Sequence, residues 1–202
     1  MSEPAAAVEH GARERILAAA VERISAEGID EMRIARVAMD AGVSTALVHY
    51  HFETREALLA EALEYSFEMA AGVRLDDAGD EEQDPARRLL AMIDQCLPYP
   101  GPLRQDWVLW VELWLRTVRH PELQPTGARL YARLRAWLRG GIADCGGAGD
   151  LDPGELADRL LALCDGLGVR VLIGELDIAY ARRQVWDFAA GQLGLDRDLA
   201  SG

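Results

Sequence analysis

The chain contains no lysine, so all 21 of its basic side chains are arginines. That bias follows from a GC-rich genome and carries no function of its own. Cysteine is equally scarce: Cys96, Cys145 and Cys164 are odd in number and lack CxxC or zinc-type spacing. Neither a disulfide framework nor a structural metal is therefore indicated, leaving buried thiols as the plain reading and a redox sensor as the sharper one. No apolar run approaches the roughly 18 residues of a membrane span, and MSEPAAAVEH has no basic region leading into an apolar stretch. The expectation is a cytoplasmic protein with no membrane partner. Missing too are a paired base and nucleophile, a phosphate loop and metal-ligand spacing, so neither catalysis nor a cofactor is expected.

What is present is helix. Half of the 202 residues are apolar, enough for a substantial core. Apolar positions recur three and four apart, alternating β-branched runs are missing, and Ala, Leu, Arg and Glu dominate. The reading is all-α, with about nine helices. The first covers about Ala12 to Glu27, with Ile16, Leu17, Ala20, Val21 and Ile24 inward and Gly28 as its stop. Two short helices follow, the second capped by Ser44, and then a long one capped by Thr54. Residues 72–84 are acidic and read as a loop. Asp84-Pro85 and Asp152-Pro153 each pair a capping carboxylate with proline at the first helical position. His120-Pro121 opens the seventh helix, the eighth runs to about Ile173, and the ninth spans Asp177 to Leu193.

Within 33–52 the chain reads RIARVAMDAGVSTALVHYHF. A helix-turn-helix needs two helices locked at a wide angle, a tight turn with unusual backbone and a second helix whose outer side chains reach base edges. Ile34, Val37 and Ala38 form the inward stripe of the first helix, Gly42 supplies the turn, and Val43, Val48 and Phe52 pack the second helix back. Ser44, Thr45, Ala46, His49 and Tyr50 are left outward. Thr45 and Ala46 are small enough for close approach to bases, and Ala46 suits a thymine methyl. Ser44, Tyr50 and the first-turn amides suit phosphate, as does Arg55 at the start of the next helix. His49 and His51 cannot share a metal ion, because residues two apart on a helix point about 200° apart.

The net charge is −13, which at first sight opposes a nucleic-acid partner. Its distribution is uneven. Residues 1–60 hold six arginines against ten acids, a net of 6 − 10 = −4, and residues 61–202 hold fifteen against twenty-four, a net of −9. A weakly basic face on an acidic body predicts poor non-specific binding and reliance on specific contacts.

The segment ARERILAAAVERISAEGIDEMRIARVAMDAGVSTALVHYHFETREALLAEALE resembles the DNA-binding domain of the tetracycline-repressor (TetR) family. The resemblance covers about residues 11–70, with the ILAAA helix, the AGVS turn, HYHF and REALL in register. It implies an all-helical homodimer with a three-helix DNA-binding head, a ligand-binding body of six further helices over 71–202, and repression relieved by a small molecule. By the same resemblance Arg33 and Ser44 through Tyr50 meet the operator, His51 lies beside the phosphates, and Arg55 takes the place of a phosphate clamp. The family usually has tyrosine at the position of His49 and often lysine at that of Arg55, which bears on base preference and salt dependence.

In the body, the sixth helix places Trp107, Trp110 and Trp114 on one face. Such a stripe packs a core or lines a ligand cavity. Met69, Met92, Cys96 and Tyr99 are companions for the second reading, and Asp165, central in the apolar eighth helix, is the candidate acidic group. A lipophilic or cationic effector is expected, and LWVELW and CDGL are similar to the branch of the family that includes choline-responsive regulators. Leu156, Leu160, Leu163, Leu167 and Val171 on the eighth helix, with Ile178, Ala181, Val185 and Phe188 on the ninth, read as half of a four-helix homodimer interface. The expected function is a repressor that binds double-stranded DNA at a palindromic operator. The competing class is an all-helical enzyme or small-molecule carrier containing an incidental helix-turn-helix.

Overall fold

The computed structural model describes residues 3–77, 84–146 and 151–201, with side chains over 11–69, 84–146 and 151–199. Among these residues the chain is all-α: α1 (Glu3–Glu27), α2 (Ile34–Asp40), α3 (Thr45–His51), α4 (Arg55–Asp77), α5 (Pro85–Gln95), α6 (Pro102–Arg119), α7 (Gln124–Asp144), α8 (Pro153–Leu172) and α9 (Ile178–Leu193). The helix order is that of the sequence reading, and the differences lie at the ends. α1 reaches back to Glu3 through an alanine-rich stretch of high helix propensity. α4 continues to Asp77, overturning the loop expected to start at 72. A helix already nucleated extends one residue at a time at little cost, so the acidic composition does not stop it there. Residues 78–83 and 147–150 lie outside the described residues. At Pro121 a 3₁₀ turn, Pro121–Leu123, precedes α7.

The expected caps are in place. Asp84 accepts a hydrogen bond from the Ala86 amide at 3.0 Å, and Asp152 accepts from Gly154 and Glu155 at 2.9 and 3.1 Å. Each satisfies first-turn donors that the helix itself cannot, with proline occupying the next position. Asp177 caps α9 through the Tyr180 amide at 2.7 Å.

Two compact units result. One comprises Met1–Ala70 with Gln105–Ala128, and the other Ala71–Arg104 with Arg129–Gly202. Most of α6 thus packs with the N-terminal helices rather than with the remainder of 71–202. The first unit is built on Ile16, Ile24, Ile29, Met32, Val37, Val48, Leu58, Leu59, Leu109 and Leu113, all fully buried or nearly so. The second is built on Leu89, Ile93, Leu97, Leu138, Ile142, Leu156, Leu160, Val185 and Trp186. Trp186 is its largest buried side chain, and its indole Nε1 donates to the Asp196 carbonyl at 3.0 Å. α5 and α7 come close at Gly141, where an added Cβ would collide with the Met92 sulfur.

The stripe expected to face a second copy divides. Leu156, Leu160, Ala181 and Val185 have no exposed surface in the single chain, and Leu167 is buried. These five belong to the chain's own core, where α8 and α9 pack on each other. Leu163, Val171, Ile178 and Phe188 keep partial exposure.

Candidate nucleic-acid interface

The α2–α3 turn is locked from three directions. Gly42 sits at φ +64°, a left-handed conformation that a side chain would strain. The Val43 amide reaches back to the Ala38 carbonyl at 2.9 Å, the Gly42 amide reaches Met39 at 3.1 Å, and the Ser44 hydroxyl accepts from the Leu47 amide at 3.2 Å. Together these close α2 and open α3 within four residues. Val37, Ala38, Val48 and Phe52 are buried beneath the turn.

Above that seam the side chains face solvent. Ser44, Thr45, Ala46, His49 and Tyr50 are exposed, and Tyr50, at 71%, is among the most exposed large side chains of the chain. A large aromatic left this exposed is the kind of feature that marks a contact surface. Arg33, the residue before α2, and Arg55, the first residue of α4, are exposed as well. His51 is half-buried between the rings of Tyr50 and Phe52, at 5.2 and 6.1 Å, and its Nε2 is buried without a hydrogen-bond partner. A phosphate contact from His51 in this arrangement falls to its other ring nitrogen.

The helix pair is tied to its neighbours by arginines of α1. Arg15 donates to the Ala41 carbonyl at 3.1 Å, and Arg23 donates to Asp40 at 2.5 Å and Glu27 at 2.7 Å. The Arg23 guanidinium holds the Asp40 carboxyl below its ordinary pKa. From α6, Arg116 pairs with Asp30 in the α1–α2 connection, and Asp30 is likewise held below its ordinary range by that bond. The carbonyl of the same Asp30 accepts a long, 3.5 Å contact from Arg55. A cleft of about 500 Å³ in the same unit is lined by Glu56, Glu61, His120 and Glu122, and its acidity disfavours phosphate.

The residues expected to hold an effector fall in both units. In the first, the Trp114 ring packs edge-on to Trp107 at 5.9 Å and tilted against Trp110 at 6.2 Å; Trp107 is buried, Trp110 and Trp114 are half-buried, and Met69 is exposed. In the second, Met92 is buried while Cys96, Tyr99 and Asp165 are partly buried. Asp165 accepts from the Tyr131 hydroxyl at 2.6 Å, yet desolvation still raises its pKa. Burial also pushes the Tyr99 phenol up to about 12, and its hydroxyl donates to Asp94 at 3.2 Å.

Two family models match this chain. The model described as bacterial regulatory proteins, tetR family, covers residues 16–62, and the one described as BetI-type transcriptional repressor, C-terminal, covers 85–194. The chain belongs to the TetR family of transcriptional regulators. It is similar to an HTH-type transcriptional regulator BetI of Ectopseudomonas mendocina, 29% identical with 90% of this chain and 93% of that one covered. Among solved structures, a TetR-family regulator from Rhodococcus sp. superposes with a TM-score of 0.78 at 28% identity, covering 91% of this chain and 99% of that one. A transcriptional regulator from Saccharomonospora viridis in complex with choline does so with a TM-score of 0.71 at 32% identity, covering 88% and 94%.

This TetR-family chain is a DNA-binding transcriptional regulator, and among its described residues no helix is long and apolar enough to cross a membrane. Sequence reasoning missed the Asp30–Arg116 bridge and the Arg23 anchor. Both join residues distant along the chain, and nothing local to Arg23 or Arg116 distinguishes them from solvated surface arginines.

Proposed function

We propose that the protein is a ligand-responsive repressor that binds a palindromic operator on double-stranded DNA as a homodimer and is released by a small lipophilic or cationic effector. The reading rests above all on one observation: a locked turn presents Thr45, Ala46, His49 and Tyr50 to solvent above a fully buried seam. Thr45, Ala46 and His49 then meet base edges, Ser44, Tyr50, His51 and Arg33 meet the backbone or its edge, and Arg55 clamps a phosphate. The DNA-reading part lies within 11–70 and the effector and dimerisation part within 71–202. α6 serves both, since it lies in the second stretch and packs in the first unit. The protein works in the cytoplasm and carries out no catalysis.

A second copy docks on the apolar surface that the single chain leaves open on α8 and α9: Leu163, Val171, Ile178 and Phe188, extended by the exposed Ile173 and Tyr180. Gly166, with nothing near its would-be Cβ, lets a partner helix approach. Two copies of α3 spaced by about one DNA turn then require a two-fold symmetric site.

Two separate candidates stand for the effector: in the first unit the tryptophans of α6 offer aromatic faces, and in the second the partly buried Asp165 offers a carboxylate whose raised pKa a bound cation would lower. Choline, bound by the Saccharomonospora viridis relative, is the first effector to test. Its binding shifts operator affinity only by the difference in its affinity for the DNA-bound and free arrangements. Selection of bound duplexes from a random library tests the proposal, with a recovered palindrome expected. An unenriched library, or a single non-repeated half-site, overturns it. For the effector, titration calorimetry of choline against the wild type and Asp165→Asn should show weakened binding in the variant, and equal binding removes Asp165 from the site.

A further inference from the structure

We infer that Arg13 of α1 is a positioning residue for DNA reading: it fixes the C-terminal end of α3 through the Phe52 ring and so sets the base preference that His49 contributes. The inference rests on the proposal that α3 is the helix that reads DNA.

α3 is seven residues long, and its two ends are held by different devices. The N-terminal end follows from the Gly42 turn and the Ser44 cap. At the other end only Phe52, Glu53 and Thr54 separate α3 from α4, and the Phe52 amide donates back to the Val48 carbonyl at 2.9 Å. Phe52 is 2% exposed, and the Arg13 guanidinium lies over its ring, 5.7 Å from the centroid. The same guanidinium donates to the Glu61 carboxylate of α4. A planar guanidinium presents its face to an aromatic ring and its N–H edge to a carboxylate at once, which an ammonium cannot do. One side chain thus ties α1, the end of α3 and α4 together.

Other arginines of α1 act elsewhere. Arg15 donates to the Ala41 carbonyl and Arg23 to Asp40, so both grip the end of α2, on the N-terminal side of α3. Loss of Arg13 instead releases the far end of α3. The helix spans about 10 Å, so a tilt of about 6° about its N-terminal end moves the last turn by about 1 Å. His49 lies in that last turn, whereas Thr45 is the first residue of the helix and Ala46 the second. A base contact made by His49 is weakened by such a displacement, and contacts made by Thr45 and Ala46 near the pivot are not. The Arg13 side chain is itself partly exposed, so replacing it opens no cavity.

The test is duplex selection followed by anisotropy titration, run on the full-length wild type and on Arg13→Met, Thr45→Ala and His49→Ala. The last two variants mark which half-site positions each end of α3 reads. Arg13→Met should weaken binding to the selected duplex by about two- to fivefold, the scale of a cation–π contact at a partly exposed site. Its base preference should relax at the positions that His49→Ala identifies and stay as in the wild type at those that Thr45→Ala identifies. Affinity should keep its wild-type dependence on salt, because Arg13 acts through Phe52 and not on phosphate. In a Phe52→Leu background Arg13→Met should have no further effect, since the ring it acts through is gone. Preference lost evenly at every position, a salt slope reduced by about one, or an undiminished effect in the Phe52→Leu protein overturns the inference and leaves the DNA-reading role of α3 in place. A wild type with no preferred duplex removes that role and the inference with it.

Discussion

Two helix pairs, α2–α3 in one unit and α8–α9 in the other, treat their outward surfaces in opposite ways. In α8 and α9 the larger part of the regular apolar stripe is absorbed by the chain itself: Leu156, Leu160, Ala181 and Val185 are sealed in the core, and Leu167 is buried. In α2 and α3 the apolar positions are few, only Val37, Ala38 and Val48 are buried, Ile34, Leu47 and His51 are half-buried, and the other side chains are exposed. A seven-residue helix such as α3 is too short to persist alone, so it survives because the turn and the seam hold it. Its outer face is then left to something other than folding. The long pair shows how this chain builds stability, and the short pair shows where it forgoes stability for a contact surface.

That contrast can be broken at its stable end first. Trp186→Ala should destabilise the second unit by about 3–5 kcal/mol in denaturant unfolding, because it empties a fully buried aromatic site and strands the Asp196 carbonyl. A variant as stable as the wild type would show that α8–α9 packing is not what supports this unit. At the other end, Gly42→Val should cost about 1–2 kcal/mol or more, since a β-branched residue must adopt a left-handed conformation. Operator affinity should fall further than global stability, as the turn sets where α3 points. Equal loss of both would mean that α3 is held independently of Gly42.

The smallest expected effect is the response to acid. Asp30 and Asp40 have carboxyls held below their ordinary range by Arg116 and Arg23. A depressed carboxylate contributes stability at pH above its unfolded value, and that contribution is lost as pH falls through the folded value. DNA binding should therefore be insensitive to these two groups from pH 7 down to about 4 and weaken only below it. Arg116→Met should remove the Asp30 share of that acid-dependent loss, flattening the profile, and lower operator affinity near neutral pH by about threefold at most, the scale of an exposed pair. An unchanged acid profile in Arg116→Met would remove the bridge from the account.

Much of this was legible from local signals. Ser44, Asp84, Asp152 and Asp177 announce helix starts because their side chains bond backbone amides two or three residues on, an interaction that needs no tertiary context. Gly42 and the residues around it show the turn for the same reason. The end of α4 was not legible, because acidic composition reports solvation rather than backbone state. Periodicity placed Leu156, Leu160, Ala181 and Val185 on a face, but it could not say whether that face meets this chain or a second copy.

The central claim is that the exposed edge of α3 reads DNA, and a binding titration tests it most directly. Fluorescence anisotropy of a duplex recovered by selection, run against a scrambled competitor, would compare the wild type with Thr45→Ala and Tyr50→Phe. Both substitutions lie on exposed positions outside the core, so oligomeric state and melting should be unchanged. Each should weaken specific binding by about tenfold, the scale of one lost base-edge or phosphate hydrogen bond. Affinity equal to the wild type in both variants, or equal affinity for the selected and scrambled duplexes, would contradict the claim.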